Sequence, residues 1–82
     1  MLFSYQLFNN GISRRHVEAI FTTKIIDLKQ QLLDQFKTEG IISQDKTMEN
    51  IKIITTGVEA VDHWNIEQNN MHQHCCFHVI IR

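Results

Sequence analysis

The stretch IIDLKQQLLDQFKTEG, Ile25 to Gly40, decides the architecture. Ile25, Leu28, Leu32, Leu33 and Phe36 recur at intervals of three and four, which draws one apolar stripe along an α-helix. Asp27, Lys29, Gln30, Gln31, Asp34, Gln35 and Lys37 fill the rest of its circumference. Thr22 and Thr23 stand ahead of it as candidate N-caps, because a hydroxyl oxygen can accept a first-turn backbone N–H. Gly40 suits the left-handed residue that ends a helix.

Upstream, Met1 to Phe8 alternates loosely and is rich in aromatic and apolar residues (Leu2, Phe3, Tyr5, Leu7, Phe8), the mark of a strand. Asn9-Asn10-Gly11 follows, and Asn-Gly is a strong hairpin signal because both residues tolerate positive φ. Ile12 to Ile20 is then the returning strand. Downstream, Ile41 to Asn50 is a polar connection with apolar anchors. Ile51 to Thr55 predicts a β-branched strand that ends at Gly57. Val58 to Ile66 is short and mixed, Glu67 to Gln73 is polar and loop-like, and Cys75 to Ile81 predicts a final strand. The expected fold class is α+β, a mixed sheet packed on one helix, with the two terminal strands adjacent at the centre.

Taken in order, several segments resemble the ubiquitin-like β-grasp family. Asn10-Gly11 lies where that family has a glycine-containing turn. Ile25-Ile26-Asp27-Leu28-Lys29 is similar to ubiquitin's Ile-Glu-Asn-Val-Lys, and Glu39-Gly40-Ile41 to its Glu-Gly-Ile. Lys52-Ile53-Ile54-Thr55-Thr56-Gly57 resembles Arg-Leu-Ile-Phe-Ala-Gly. Asn65-Ile66 resembles the Asn-Ile before the last strand, and Phe77-His78-Val79-Ile80-Ile81-Arg82 resembles Leu-His-Leu-Val-Leu-Arg. The likeness spans nearly the whole chain, 1–82, as one domain, and departs from the family in the loops on either side of Ile66. No Gly-Gly follows Arg82, so the resemblance implies a domain of a larger protein or a non-conjugated relative, not a modifier.

Composition narrows the function. Eight Lys and Arg against nine Asp and Glu give a net charge of -1, which argues against a dedicated nucleic-acid binder. No apolar run approaches the ~20 residues of a membrane span, and no secretory leader is apparent. Two adjacent cysteines do not make a disulfide framework. The expected place is the cytoplasm or nucleus, and the expected state in isolation is a monomer. No Gly-rich phosphate loop, Gly-x-Ser-x-Gly or His-Glu-x-x-His occurs.

The candidate partner-binding residues come from strand parity. If Phe77, Val79, Ile51 and Ile53 point at the helix, then His78, Ile80 and Ile54 point away from it, with Lys52 and Arg82 at the rim. These positions match the recognition patch of ubiquitin. The resemblance implies protein partners, namely ubiquitin-binding domains or proteasome and chaperone-adaptor components. An apolar patch gains roughly 25 cal/mol per Å² when a partner covers it, and flanking charges orient that partner. Binding through His78 should weaken as imidazole charges on acidification. Isolated exposed isoleucines are also ordinary sheet-formers, so a purely structural domain remains an alternative.

The run His72-x-His74-Cys75-Cys76-x-His78 offers a second alternative, a small metal-binding domain, since imidazole and thiolate ligate zinc and copper. On a strand, His74, Cys76 and His78 would share a face, and His16 or His63 could add a ligand. No Cys-x-x-Cys or His-x-x-x-His pair supports it, and no cofactor is expected. Cys76 with His74 or His78 could make a thiolate pair, but a nucleophile also needs an oxyanion site and a cleft, so no enzyme activity is expected. Arg14 and Arg15 point to opposite faces of their strand. Trp64 is expected as a core plug beside Ile66, and Lys24, Lys29, Lys37, Lys46 and Lys52 as a solvated scatter.

Overall fold

A computed structural model describes residues 1–82. Strands β1 (Leu2–Phe8) and β2 (Ile12–Glu18) form an antiparallel hairpin with Phe8 opposite Ile12. The helix α1 (Ile25–Thr38) follows, then a 3₁₀ turn (Met48–Asn50), β3 (Ile51–Thr55), β4 (Val58–Glu59) and β5 (Phe77–Ile81). The sheet order is β2-β1-β5-β3-β4, with β1 and β5 parallel at the centre and the other neighbours antiparallel. This is a small α+β domain with a five-stranded mixed sheet and one helix, an arrangement consistent with a β-grasp-like fold. No helix is long and apolar enough to cross a membrane.

The helix stripe is the centre of the core. Ile25, Leu28, Leu32, Leu33 and Phe36 are all buried, facing Phe3, Tyr5, Leu7, Ile51, Ile53, Phe77 and Val79 on the sheet. Burying one such side chain contributes about 1.5–3 kcal/mol. Leu32→Ala would therefore remove that and leave a cavity, a loss of about 2–5 kcal/mol in all. At the C-terminus Gly40 has φ +74, Ile41 N–H bonds Phe36 C=O (2.9 Å) and Gly40 N–H bonds Lys37 C=O (3.1 Å). That pair of bonds is a Schellman closure, and the positive φ is why glycine stands there.

The N-terminus differs from expectation. Lys24, not Thr22 or Thr23, occupies the cap position, and no side chain caps the helix. Thr23 Oγ1 instead accepts Ile20 N–H at 3.2 Å. The helix's first donors are taken by backbone: Ile25 N–H by Trp64 C=O (2.9 Å) and Ile26 N–H by Asp62 C=O (3.0 Å). Ile66 N–H bonds Thr23 C=O (2.9 Å), so the segment after β4 is laced to the chain entering the helix. A tertiary partner satisfies the helix start where a local cap would otherwise do so.

That lacing overturns two further expectations. Trp64 is 43% exposed and is no core plug; its carbonyl serves the helix while Ile66 fills the core. Lys29 is 8% exposed, its ammonium paired with Asp62 at 2.7 Å, so it does not belong to the solvated lysines.

The stretch expected as a polar loop carries a helical turn. Asn65 N–H bonds Gln68 Oε1 (2.9 Å) and Gln68 N–H bonds Asn65 Oδ1 (2.7 Å), a reciprocal capping box. Asn70 at φ +57 closes it, with Met71 N–H on Ile66 C=O. Met71 and Asn69 are buried. Asn69 Oδ1 accepts Val61 N–H (2.8 Å), and Asn69 Nδ2 donates to Asn65 C=O (2.9 Å) and Val61 C=O (3.3 Å).

Strand boundaries moved too. β2 stops at Glu18, short of Ile20, because the chain turns there with Thr23 N–H on Ile20 C=O (3.0 Å). β4 appears where no strand was expected, reached through Thr56 (φ +51) and Gly57 (φ +80). Two successive positive φ values make the two-residue turn whose twist suits a hairpin.

Candidate partner-binding face

Strand parity sorts the sheet into two sides. Phe77 and Val79 of β5 and Ile51 and Ile53 of β3 are buried beneath the helix, so His78, Ile80, Lys52 and Ile54 lie on the uncovered side, all half-buried. The ladder then aligns them across strands. Arg14, Gln6, His78, Ile54 and Glu59 form one row, and Ile12, Phe8, Ile80 and Lys52 form the next. Directly opposed residues have Cβ atoms about 4.5–5.5 Å apart, so each row is a continuous surface.

Three of the expected residues, Ile54, His78 and Ile80, therefore do come together. Phe8 completes the group: its ring meets the His78 imidazole edge-to-face, centroids 5.1 Å apart. Lys52 lies at the rim as expected, its ammonium 3.4 Å from Glu59 on β4. Arg82 is also peripheral. Its N–H bonds Asn50 C=O at 2.8 Å, and it shares with Lys29, Lys52, Glu49, Glu59 and Asp62 the wall of a cleft of about 440 Å³. The charges in that cleft alternate in sign, and Lys29–Asp62 and Lys52–Glu59 already neutralise one another.

Phe8, Ile12 and Glu59 were not among the sequence-read site residues. Phe8 was legible: Ser4, Gln6 and Phe8 share one parity, opposite to the buried Phe3, Tyr5 and Leu7. Glu59 was not legible, because β4 is only two residues long.

The His/Cys run falls differently from a strand-borne ligand set. β5 begins at Phe77, not Cys75, so His74 and Cys76 do not alternate with His78 along a strand. Cys75 N–H bonds His72 C=O at 3.2 Å, a turn that holds this segment out of the ladder. Cys75 is exposed, Cys76 Sγ lies 3.8 Å from Phe77 O, and His78 is engaged with Phe8. No three His, Cys, Asp or Glu side chains are grouped so as to hold a metal ion.

The opposite side of β2 explains its second arginine. Arg15 turns toward the helix, sets its guanidinium 5.7 Å from the Phe36 ring centroid, and pairs with Glu39. Hydrogen bonding from Arg15 holds the Glu39 carboxyl below the usual carboxylate range. Below it Tyr5 stacks on Phe77 (5.3 Å), and burial raises its phenol above the ordinary value. Arg14 faces the uncovered side, so the two arginines do not form one cationic patch.

No protein-family model matches the chain, and no curated protein is significantly similar to it.

Proposed function

We propose that this chain is a ubiquitin-like protein-interaction domain without catalytic activity, and that partners dock on the uncovered sheet face. The observation that carries the reading is the cluster of Phe8, Ile54 and Ile80 around His78, with Lys52, Glu59 and Arg14 at its margin. An apolar centre with a charged rim is the anatomy of a recognition surface. The ubiquitin-like reading draws support from the order of hairpin, helix and late strands, from the parallel central pair β1 and β5, and from the segments quoted above.

The partner class that fits is a ubiquitin-binding domain or a proteasome or chaperone-adaptor component presenting an apolar helix or small domain. A face this small buries less than about 1,200 Å² in total, so affinity is micromolar, near -8 kcal/mol. Titration calorimetry with a ubiquitin-binding proteasomal receptor fragment tests this. Ile80→Ala and Ile54→Ala should each weaken binding about tenfold while the fold persists. Absence of binding by the unaltered chain, or affinity unchanged in both variants, would overturn the reading.

A further inference from the structure

The sheet has two free edges, and one of them is long. β4 is two residues, whereas β2 runs from Ile12 to Glu18 and no element lies beyond it. Which of its backbone groups are unpaired follows from the ladder. Met1 and Ala19 exchange both hydrogen bonds, at 2.9 Å each. Doubly bonded pairs alternate with unbonded ones in an antiparallel ladder. With Phe3 opposite Val17 and Tyr5 opposite Arg15, the groups of Ser13, Arg15, Val17 and Ala19 are turned toward β1. The N–H and C=O groups of Ile12, Arg14, His16 and Glu18 are therefore turned outward. Only the Glu18 carbonyl has a partner, the Gln31 side-chain amide at 2.9 Å, and a carbonyl can accept a second bond. All four residues are exposed.

Charged side chains on an edge strand commonly keep it single. Here their signs are complementary to those of the same strand reversed. Three two-fold registers pair five or more residues of the strand. A pairing centred on Arg14 sets Arg14 against itself. One centred on Arg15 sets Arg15 against itself in the closely spaced position. One centred on His16 sets Arg14 opposite Glu18 of the second copy, and does so twice. The last register also brings Ile12, 65% exposed, toward Ile20 of the second copy, which is 57% exposed in the turn just past the strand. Opposed like charges destabilise a pair and opposed unlike charges or apolar residues stabilise it, so the His16-centred register is the one selected.

We propose that the chain forms a weak symmetric dimer through antiparallel β2–β2 pairing centred on His16, with two Arg14–Glu18 ion pairs and two Ile12–Ile20 contacts, in place of the monomer that the sequence suggests. Each His16 exchanges two backbone bonds with its copy, and each Arg14–Glu18 pair two more. The result is one continuous sheet with both helices on the same side. Both copies of the Phe8–Ile54–Ile80 face stay open on the other side, although the pairing itself does not depend on what that face binds. A single strand pair buries less than a standard interface, so the dimer is weak and is populated only as concentration rises toward the millimolar range.

Sedimentation velocity on the full chain, from micromolar to near-millimolar concentration, tests this. The unaltered chain should show a reversible monomer–dimer equilibrium. Arg14→Glu and Glu18→Arg should each lower association at least tenfold, since each sets like charges in opposition. An equimolar mixture of the two variants should restore the dimer, because every position 14 then faces an opposite charge at position 18. Their amide spectra report whether both variants are folded. A chain that stays monomeric at the highest concentration, a dimer that survives both reversals, or a mixture of folded variants that does not associate would overturn the proposal.

Discussion

Phe8 and His78 meet edge-to-face on the uncovered side of the sheet, with their ring planes at 65°. The two come from opposite ends of the chain and are brought together by the parallel pairing of β1 with β5, in which Gln6 faces His78 and Phe8 faces Ile80. The aromatic contact fixes the imidazole between Phe8 and Ile54, so the face is shaped before any partner arrives. Pre-set geometry lowers the ordering cost of binding. Phe8→Ala should leave the fold intact, since Phe8 is only half-buried. It should weaken receptor binding by about tenfold, or about 1.4 kcal/mol. Calorimetry alongside urea unfolding separates the two effects.

Thr56 carries a φ of +51 at the first position of the β3–β4 turn, and its hydroxyl donates to Thr55 C=O at 2.7 Å. A β-branched residue is strained there, whereas asparagine tolerates it, and Asn-Gly is the preferred pair for such a turn. Thr56→Asn should raise unfolding stability by about 0.5–1 kcal/mol, a gain of the size seen when a residue suits its backbone conformation. Urea midpoints compared at constant m-value measure this.

Asn69 is buried and bonds both the N–H and the C=O of Val61 as well as Asn65 C=O. Asn69→Ala leaves Val61 N–H without a partner, while Trp64 N–H still bonds Val61 C=O and Asn69 N–H still bonds Asn65 C=O, and should cost about 1–3 kcal/mol. Asn69→Asp should cost more at neutral pH, because it sets a buried carboxylate against the Val61 and Asn65 carbonyl oxygens that the amide now donates to, and part of that loss should return on acidification as the group regains a proton. Thermal unfolding of both variants at two pH values checks the order.

The Arg15–Glu39 pair sets an acid dependence. Hydrogen bonding from Arg15 lowers the Glu39 carboxyl in the folded state. A carboxyl that is more acidic when folded stabilises fully above its unfolded value, about 4.3, and loses that contribution as pH falls through the lower folded value. Stability should thus decline below about pH 4.3, and Glu39→Gln should flatten the part due to this group. Asp45, whose carboxyl is lowered chiefly by the Ser43 hydroxyl, contributes in the same direction and stays in place as an internal comparison. Urea unfolding from pH 3 to 6 provides the profile.

Where one physical signal dominated, the sequence could be read. The stripe from Ile25 to Phe36 and the Glu39-Gly40 stop both correspond to the observed helix, because periodicity and a left-handed glycine are local properties. The hairpin at Asn10-Gly11 and the inward parity of Ile51, Ile53, Phe77 and Val79 followed for the same reason. The misreadings are residues whose roles depend on distant partners. Lys29 sits on the polar side of the helix by period, yet Asp62 arrives to bury it. Trp64 looked like core, but its backbone is what the helix start uses. Asn65-x-x-Gln68 is a local capping signal that could have been read, and its turn is what buries Met71 and Asn69. Of the face, Ile54, His78 and Ile80 were legible from parity alone. The outward parity of Phe8 was equally legible, but its place beside His78 depends on the register in which the terminal strands pair.

Docking of partners on the uncovered sheet face can be read directly from amide and methyl shifts of the labelled chain during titration with a ubiquitin-binding proteasomal receptor fragment. Saturable changes should concentrate at Phe8, Ile54, His78 and Ile80 and fade toward Lys52 and Arg14, with the helix surface around Gln30 and Asp34 unmoved. A spectrum unchanged at millimolar receptor, or shifts centred on the helix instead of the sheet, would contradict it.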